Sequence, residues 1–200
     1  ELLDVGRSFC PRCAALTRSE FSPSEGCPEC RGRVLGYDQA VALGPYQGPI
    51  RACCLALKTR HGIWMARTFG ELLWEARGEI LEAAAIDLVV PVPLHWTRRW
   101  RRGFNQAEEL ASVLARVMKR PRVNALRRAR RTPKLAGLSA TERRGQLQGA
   151  FTPIQRRVSA CDGATVLLVD DILTTGATCG AAARALRSAG ARRVVVAVIA

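Results

Sequence analysis

Two groups of residues in this 200-residue sequence are spaced for chemistry. The first is Val166-Leu-Leu-Val-Asp170-Asp171-Ile-Leu-Thr174-Thr175-Gly176-Ala177-Thr178. Four apolar residues carry the chain through a sheet, two acids stand where the strand ends, and a turn of threonines and glycine leads into a helix. Gly176 lets backbone amides close on an anion, the helix N-terminus adds partial positive charge, and threonine hydroxyls add donors. Carboxylates repel phosphate but accept hydrogen bonds from sugar hydroxyls. The loop therefore suits a ribose 5-phosphate, with Asp170 and Asp171 for the hydroxyls and Leu173, Thr174, Thr175, Gly176, Ala177 and Thr178 around the phosphate. A Walker B strand of a nucleoside triphosphatase would need a G-x4-G-K-[ST] loop, and the sequence has no Gly-Lys pair. A plain helix cap accounts for one threonine, but not for a doubled threonine beside two acids.

The second group is Cys10-Pro-Arg-Cys13 and Cys27-Pro-Glu-Cys30. Each C-x2-C turn presents two thiolates, and two turns complete a tetrahedral four-thiolate zinc site with no position left for substrate. The metal is expected to be structural, supplying the folding energy of a segment too short to build a core. Disulfides are the rival reading, but nothing in the sequence indicates secretion. Residues 1–36 are read as this module and 37–200 as a separate domain, whose ligand binding is expected to survive loss of the metal. Cys53, Cys54, Cys161 and Cys179 lack paired spacing and read as small buried side chains.

Charge points the same way as the loop. The formal net charge is +14, and the segment from Arg98 to Arg157 holds 17 Lys and Arg against three acids, so the whole excess lies there. A polyanionic partner follows, either a phosphorylated small molecule or nucleic acid. Trp96, Trp100 and Phe104 recur every four residues among Arg98, Arg99, Arg101 and Arg102. Aromatic faces beside guanidinium groups suit stacking on single-stranded bases, and a helical aromatic stripe is also what core packing produces. Packing is favoured for Phe104, while both readings stay open for the tryptophans. Trp96, Trp100, Arg101, Arg102, Arg127, Arg128, Arg130 and Arg131 are the nucleic-acid candidates.

The elements that position these residues alternate. Strands are expected in 37–46, over Ile86–Val92, Thr165–Val169 and Val194–Ile199. Helices are expected on both sides of Gly62, from Asn105 to about Arg120 behind an Asn105-Gln-Ala-Glu108 capping box, and over Thr178–Ala189. His95–Gly103 and Arg127–Gln148 read as loops. This is the pattern of a parallel α/β sheet with its ligand site beyond the C-terminal strand ends. The apolar runs near Ala83–Leu94 and Ala164–Val169 are too short or too interrupted to span a bilayer, and a cytoplasmic protein is expected.

The 13-residue loop closely resembles the phosphoribosyl pyrophosphate (PRPP) motif of type I phosphoribosyltransferases. Asp87-Leu-Val-Val-Pro-Val-Pro-Leu-His95, Arg102-Gly-Phe-Asn-Gln106 and Leu57-Lys58, behind a four-cysteine knuckle, resemble the ComF (competence protein F) family over nearly the whole chain. The resemblance implies a PRPP ligand with Mg2+, a pyrophosphate loop at Pro93, Leu94 and His95, and a cytoplasmic role in DNA uptake alongside competence proteins. It leaves open whether phosphoribosyl passes to an acceptor or the fold serves a non-catalytic single-stranded DNA adaptor. The chain departs from the family pattern at Leu135 and Gln146, in the loop expected to cover the substrate.

Overall fold

The computed structural model describes residues 8–17, 26–59, 62–129, 147 and 149–200. Four parallel strands form the central sheet: β3 (Gln39–Ala42), β4 (Leu88–Pro91), β7 (Thr165–Val169) and β8 (Arg193–Val198), in spatial order β3-β8-β7-β4. Every residue of β4 and β7 is buried, as expected of a parallel sheet covered on both faces. Alternation along each strand assigns the faces. Leu167, Val169, Val195 and Ala197 pack with helices α1 (Gly48–Ala56), α2 (Gly62–Ala83) and α4 (Gln106–Val117). Val166, Leu168, Val194 and Val196 pack with α6 (Ala177–Arg187) and with the ribbon β5 (Leu126–Arg128) and β6 (Phe151–Pro153). Gly70 lets α2 and α4 approach closely, since a Cβ there would lie 2.8 Å from Val113 Cβ.

Two expectations are corrected. The segment read as the loop His95–Gly103 contains helix α3 (Trp96–Arg102). None of its seven residues is fully buried, and its two tryptophans are exposed, so no buried apolar face marks it. It is defined by its ends, with the His95 side chain accepting from the Thr97 amide and Gly103 closing it in the left-handed conformation, φ 83°. Arg127 and Arg128, read as loop, lie on β5. Strand alternation separates them, leaving Arg127 exposed and Arg128 half-buried over the Phe151 ring at 5.3 Å.

The cysteine module includes the short ribbon β1 (Ser8–Phe9) and β2 (Leu16–Thr17). It packs against the sheet directly. Cys10, Cys27 and Cys30 share one apolar cluster with β8 and α6, and the Ala40 amide of β3 donates to the Pro11 carbonyl at 2.9 Å. At the far edge of the sheet, the segment after α4 runs beside β4, with Val89 donating to Pro121 and accepting from Val123. The short helix α5 (Gln155–Val158) and a 3-10 turn (Ser159–Cys161) lead from β6 into β7. Among the described residues, no helix is long and apolar enough to cross a membrane.

Candidate functional site

Strand β7 ends at Val169, and the chain turns outward through Asp170 and Asp171. Asp170 Oδ1 accepts the Asp171 amide at 2.9 Å, which orders the pair. Burial, reinforced by the adjacent Asp171 carboxylate, pushes the Asp170 carboxyl well above its ordinary value. The Asp171 carbonyl accepts the Ile199 amide at 3.1 Å and the Leu173 amide donates to the Ala200 carbonyl at 2.6 Å, so the loop is tied to the end of β8. Gly176 then takes a left-handed conformation, φ 72°, and caps α6. The first turn of any helix leaves its amides without intrahelical partners. Here those amides belong to Ala177, Thr178 and Cys179, and they open on a cleft of about 50 Å³ that Thr174, Thr175 and Gly176 also line. Phosphate-sized space, helix-end amides, hydroxyls and a carboxylate pair therefore meet at the C-terminal end of the sheet.

Cations stand around the acids. Lys58, just past α1, lies 4.0 Å from Asp171 Oδ2. Arg102 of α3 is half-buried; burial lowers its pKa, and the Asp171 charge opposes that shift. Arg128 of β5 behaves alike, lowered first by burial and then by Arg98, with Asp170 opposing. Both guanidiniums stay charged. These two arginines, grouped by sequence with a nucleic-acid face, are half-buried and within electrostatic reach of the acid pair, whereas Trp96, Trp100, Arg101 and Arg127 are exposed. Trp96 is 71% and Trp100 86% exposed, while Phe104 is buried, which separates the two halves of the aromatic stripe. Arg130 and Arg131 lie outside the described residues, as do Leu135 and Gln146.

His95 is buried at the end of the β4 turn, with Nδ1 2.8 Å from the Thr97 hydroxyl. Pro93 and Leu94 are half-buried beside it. Asn105 was legible as a helix cap, and its Oδ1 accepts the Ala107 amide at 3.2 Å. Its second bond was not legible: Nδ2 donates to the Val92 carbonyl at 3.0 Å and anchors the 92–95 turn to α4. The Glu108 carboxylate of that capping box pairs instead with Arg99.

The four cysteines converge. Cys10 and Cys30 Sγ are 3.8 Å apart, Cys13 and Cys27 3.5 Å, and Cys27 and Cys30 3.9 Å. Four thiolates at about 2.3 Å from a tetrahedral ion stand about 3.8 Å from one another. The donor set and its spacing fit zinc with no open position. Cys10, Cys27 and Cys30 are fully buried.

A phosphoribosyl transferase domain matches residues 100–200. Competence protein F of Haemophilus influenzae is 32% identical over 177 residues, covering 86% of this chain and 77% of that protein. The DNA utilization protein YhgH of Escherichia coli K12 is 30% identical over 200 residues, covering 95% of this chain and 82% of that protein. Competence protein ComFC of Bacillus subtilis is 35% identical over 103 residues, 52% of this chain and 39% of that protein.

Proposed function

Because the chain belongs to the competence protein F family and carries a phosphoribosyltransferase domain, we propose that it binds PRPP with Mg2+ at the Asp170–Thr178 loop and works in DNA uptake or use. The observation that carries this reading is the junction of β7 with α6: an acid pair, a doubled threonine and a left-handed glycine at a helix N-terminus. The 5-phosphate takes the amides of the first turn of α6 and the Thr174 and Thr175 hydroxyls. Asp170 and Asp171 accept from the ribose hydroxyls. The pyrophosphate lies toward Lys58, Arg102 and the Pro93–His95 turn. When bound, Mg2+ supplies further neutralisation of the pyrophosphate.

With this arrangement, transfer needs little more than positioning and charge. A nucleophile's lone pair forms the new bond to the anomeric carbon as the bond from that carbon to the pyrophosphate oxygen breaks. The leaving pyrophosphate takes the electron pair, and Lys58 and Arg102 stabilise its charge. Calorimetry of the full chain with PRPP and Mg2+ tests the binding; release of pyrophosphate on adding nucleobases or a DNA strand tests the transfer.

One further observation favours a second role. Trp96 and Trp100 stand exposed on the basic helix α3, and Trp96 lines a groove of about 270 Å³ with Arg99, Arg127, Arg128, Arg157 and the Arg99-paired Glu108. Exposed indoles between guanidinium groups suit unpaired bases and their phosphates. Single-stranded DNA is read as the partner of this surface, with or without catalysis at the loop. Titration with a short labelled strand at increasing salt separates the two roles.

A further inference from the structure

We infer that the metal module positions the phosphate loop, so that an ion held by Cys10, Cys13, Cys27 and Cys30 tightens the binding of a phosphorylated ligand at Thr174–Thr178. The inference rests on the phosphate reading of that loop. It runs against the expectation that the module and the ligand domain behave independently.

Arg33 joins the two sites. Its Nη1 donates to the Glu29 carbonyl at 2.7 Å, inside the second cysteine turn, and its Nη2 donates to the Thr175 carbonyl at 3.0 Å. Arg12, inside the first cysteine turn, donates to the Arg33 carbonyl at 3.4 Å. Both metal-binding turns are thus bonded to Arg33, and Arg33 to the loop. The chemistry at Thr175 gives the contact its meaning. In a trans peptide the carbonyl and the following N–H point in opposite directions. Pinning the Thr175 carbonyl toward Arg33 therefore turns the Gly176 N–H the other way, away from the module.

A second strut runs beside the first. Residues 35–37 lie against the start of α6 so closely that a Cβ on Gly180 would sit 2.2 Å from the Leu35 carbonyl, and one on Gly176 2.8 Å from the Tyr37 hydroxyl. Tyr37 is buried in the same apolar cluster as Cys10, Cys27, Cys30 and Cys179, with its hydroxyl against Gly176 of the loop. An ion bound by the four thiols, whose sulfur atoms lie within 4.8 Å of one another, would hold both turns in place. Without it, the turns carrying Arg12 and Glu29 loosen, Arg33 loses its fixed base, and the ligand must order the loop itself. That ordering cost is the coupling. The module and the transferase fold then act as one unit.

The test uses the full chain, zinc-loaded and then stripped with a chelator that is dialysed away. PRPP with Mg2+ is titrated calorimetrically, and amide exchange of residues 174–178 is followed by mass spectrometry without ligand. Stripping weakens PRPP binding by about fivefold or more, within the usual range of coupling between sites, and speeds exchange in the loop. Arg33→Ala keeps its zinc by metal analysis but binds as weakly as the stripped protein, with no further loss on stripping. Arg33→Lys, which reaches one carbonyl, recovers part of the affinity. By reciprocity, saturating PRPP raises zinc affinity in wild type by the same factor. Equal affinity and equal exchange in loaded and stripped wild type overturn the inference, as does an Arg33→Ala protein that binds like wild type. If loaded wild type takes up no PRPP, the ligand reading falls and exchange alone decides. Faster exchange in both stripped wild type and Arg33→Ala then upholds the coupling, and unchanged exchange ends it.

Discussion

Asp171→Asn isolates the sugar half of the proposed site. The substitution keeps the shape of the side chain and leaves the Asp171 carbonyl free to accept the Ile199 amide, so the loop stays tied to β8. The ion pair lost with Lys58 is long, at 4.0 Å, and the lysine side chain is 32% exposed. Such pairs contribute about 0–1 kcal/mol, so the fold survives. The ligand loses more. A hydrogen bond from a ribose hydroxyl to a carboxylate contributes about 1.5–3 kcal/mol, which at about 1.4 kcal/mol per decade is a loss of roughly 10- to 100-fold in affinity. Calorimetry with ribose 5-phosphate, then PRPP and Mg2+, should show that loss for both ligands, because both carry the hydroxyls. Inorganic phosphate should bind the variant as it binds wild type, because it uses the helix-end amides. A change of twofold or less for the sugar phosphates refutes the assignment, and an equal loss for inorganic phosphate moves Asp171 from the sugar to the loop's structure.

Other outcomes follow from the same geometry. Because Asp170 holds a raised pKa, the folded chain retains a proton that the unfolded chain has released between the ordinary aspartate value and the raised one, and stability falls as pH rises through that interval. Asp170→Asn should abolish this dependence and raise the Tm above wild type on the alkaline side, by about 2–4 °C for each kcal/mol relieved, while weakening sugar-phosphate binding; a Tm difference that ignores pH would falsify the burial argument. Trp100→Ala should cost about 1–3 kcal/mol of single-stranded DNA affinity with little loss of stability, whereas Phe104→Ala, which empties a buried site, should cost about 3–5 kcal/mol of stability. Melting curves and strand titrations would expose the reverse assignment. Purified protein should carry one zinc per chain, and Cys27→Ser should release it; metal analysis finding none, with two disulfides by mass, sinks the zinc reading.

The sheet and the loop were legible because both leave strong local marks. Thr165–Val169 and Arg193–Val198 are nearly unbroken apolar runs, and the Asp-Asp and Thr-Thr-Gly pair is chemistry written in adjacent letters. Cysteine spacing is equally local. Helix α3 escaped because its sequence, WTRRWRR, buries no side chain fully and its definition lies in His95 and Gly103. The half-burial of Arg102 and Arg128 left no mark in the sequence, because charge counts treat every arginine alike. Arg33 leaves no local mark. It is one of 31 basic residues, and its importance depends on a carbonyl 142 positions away.

The hydrogen bond from the Ala40 amide to the Pro11 carbonyl has a consequence for association between chains. Among the described residues, strand β3 is the outermost on its side of the sheet, and an outermost strand with free amides and carbonyls is a template onto which another chain can add. The opposite border is shielded by the chain's own continuation past Pro121. On the β3 side the shield is the cysteine module, whose two turns a bound ion would hold in shape. A chain stripped of metal uncovers this border while the rest of the sheet is still folded, so metal-poor protein should cloud by strand addition at temperatures below its unfolding transition.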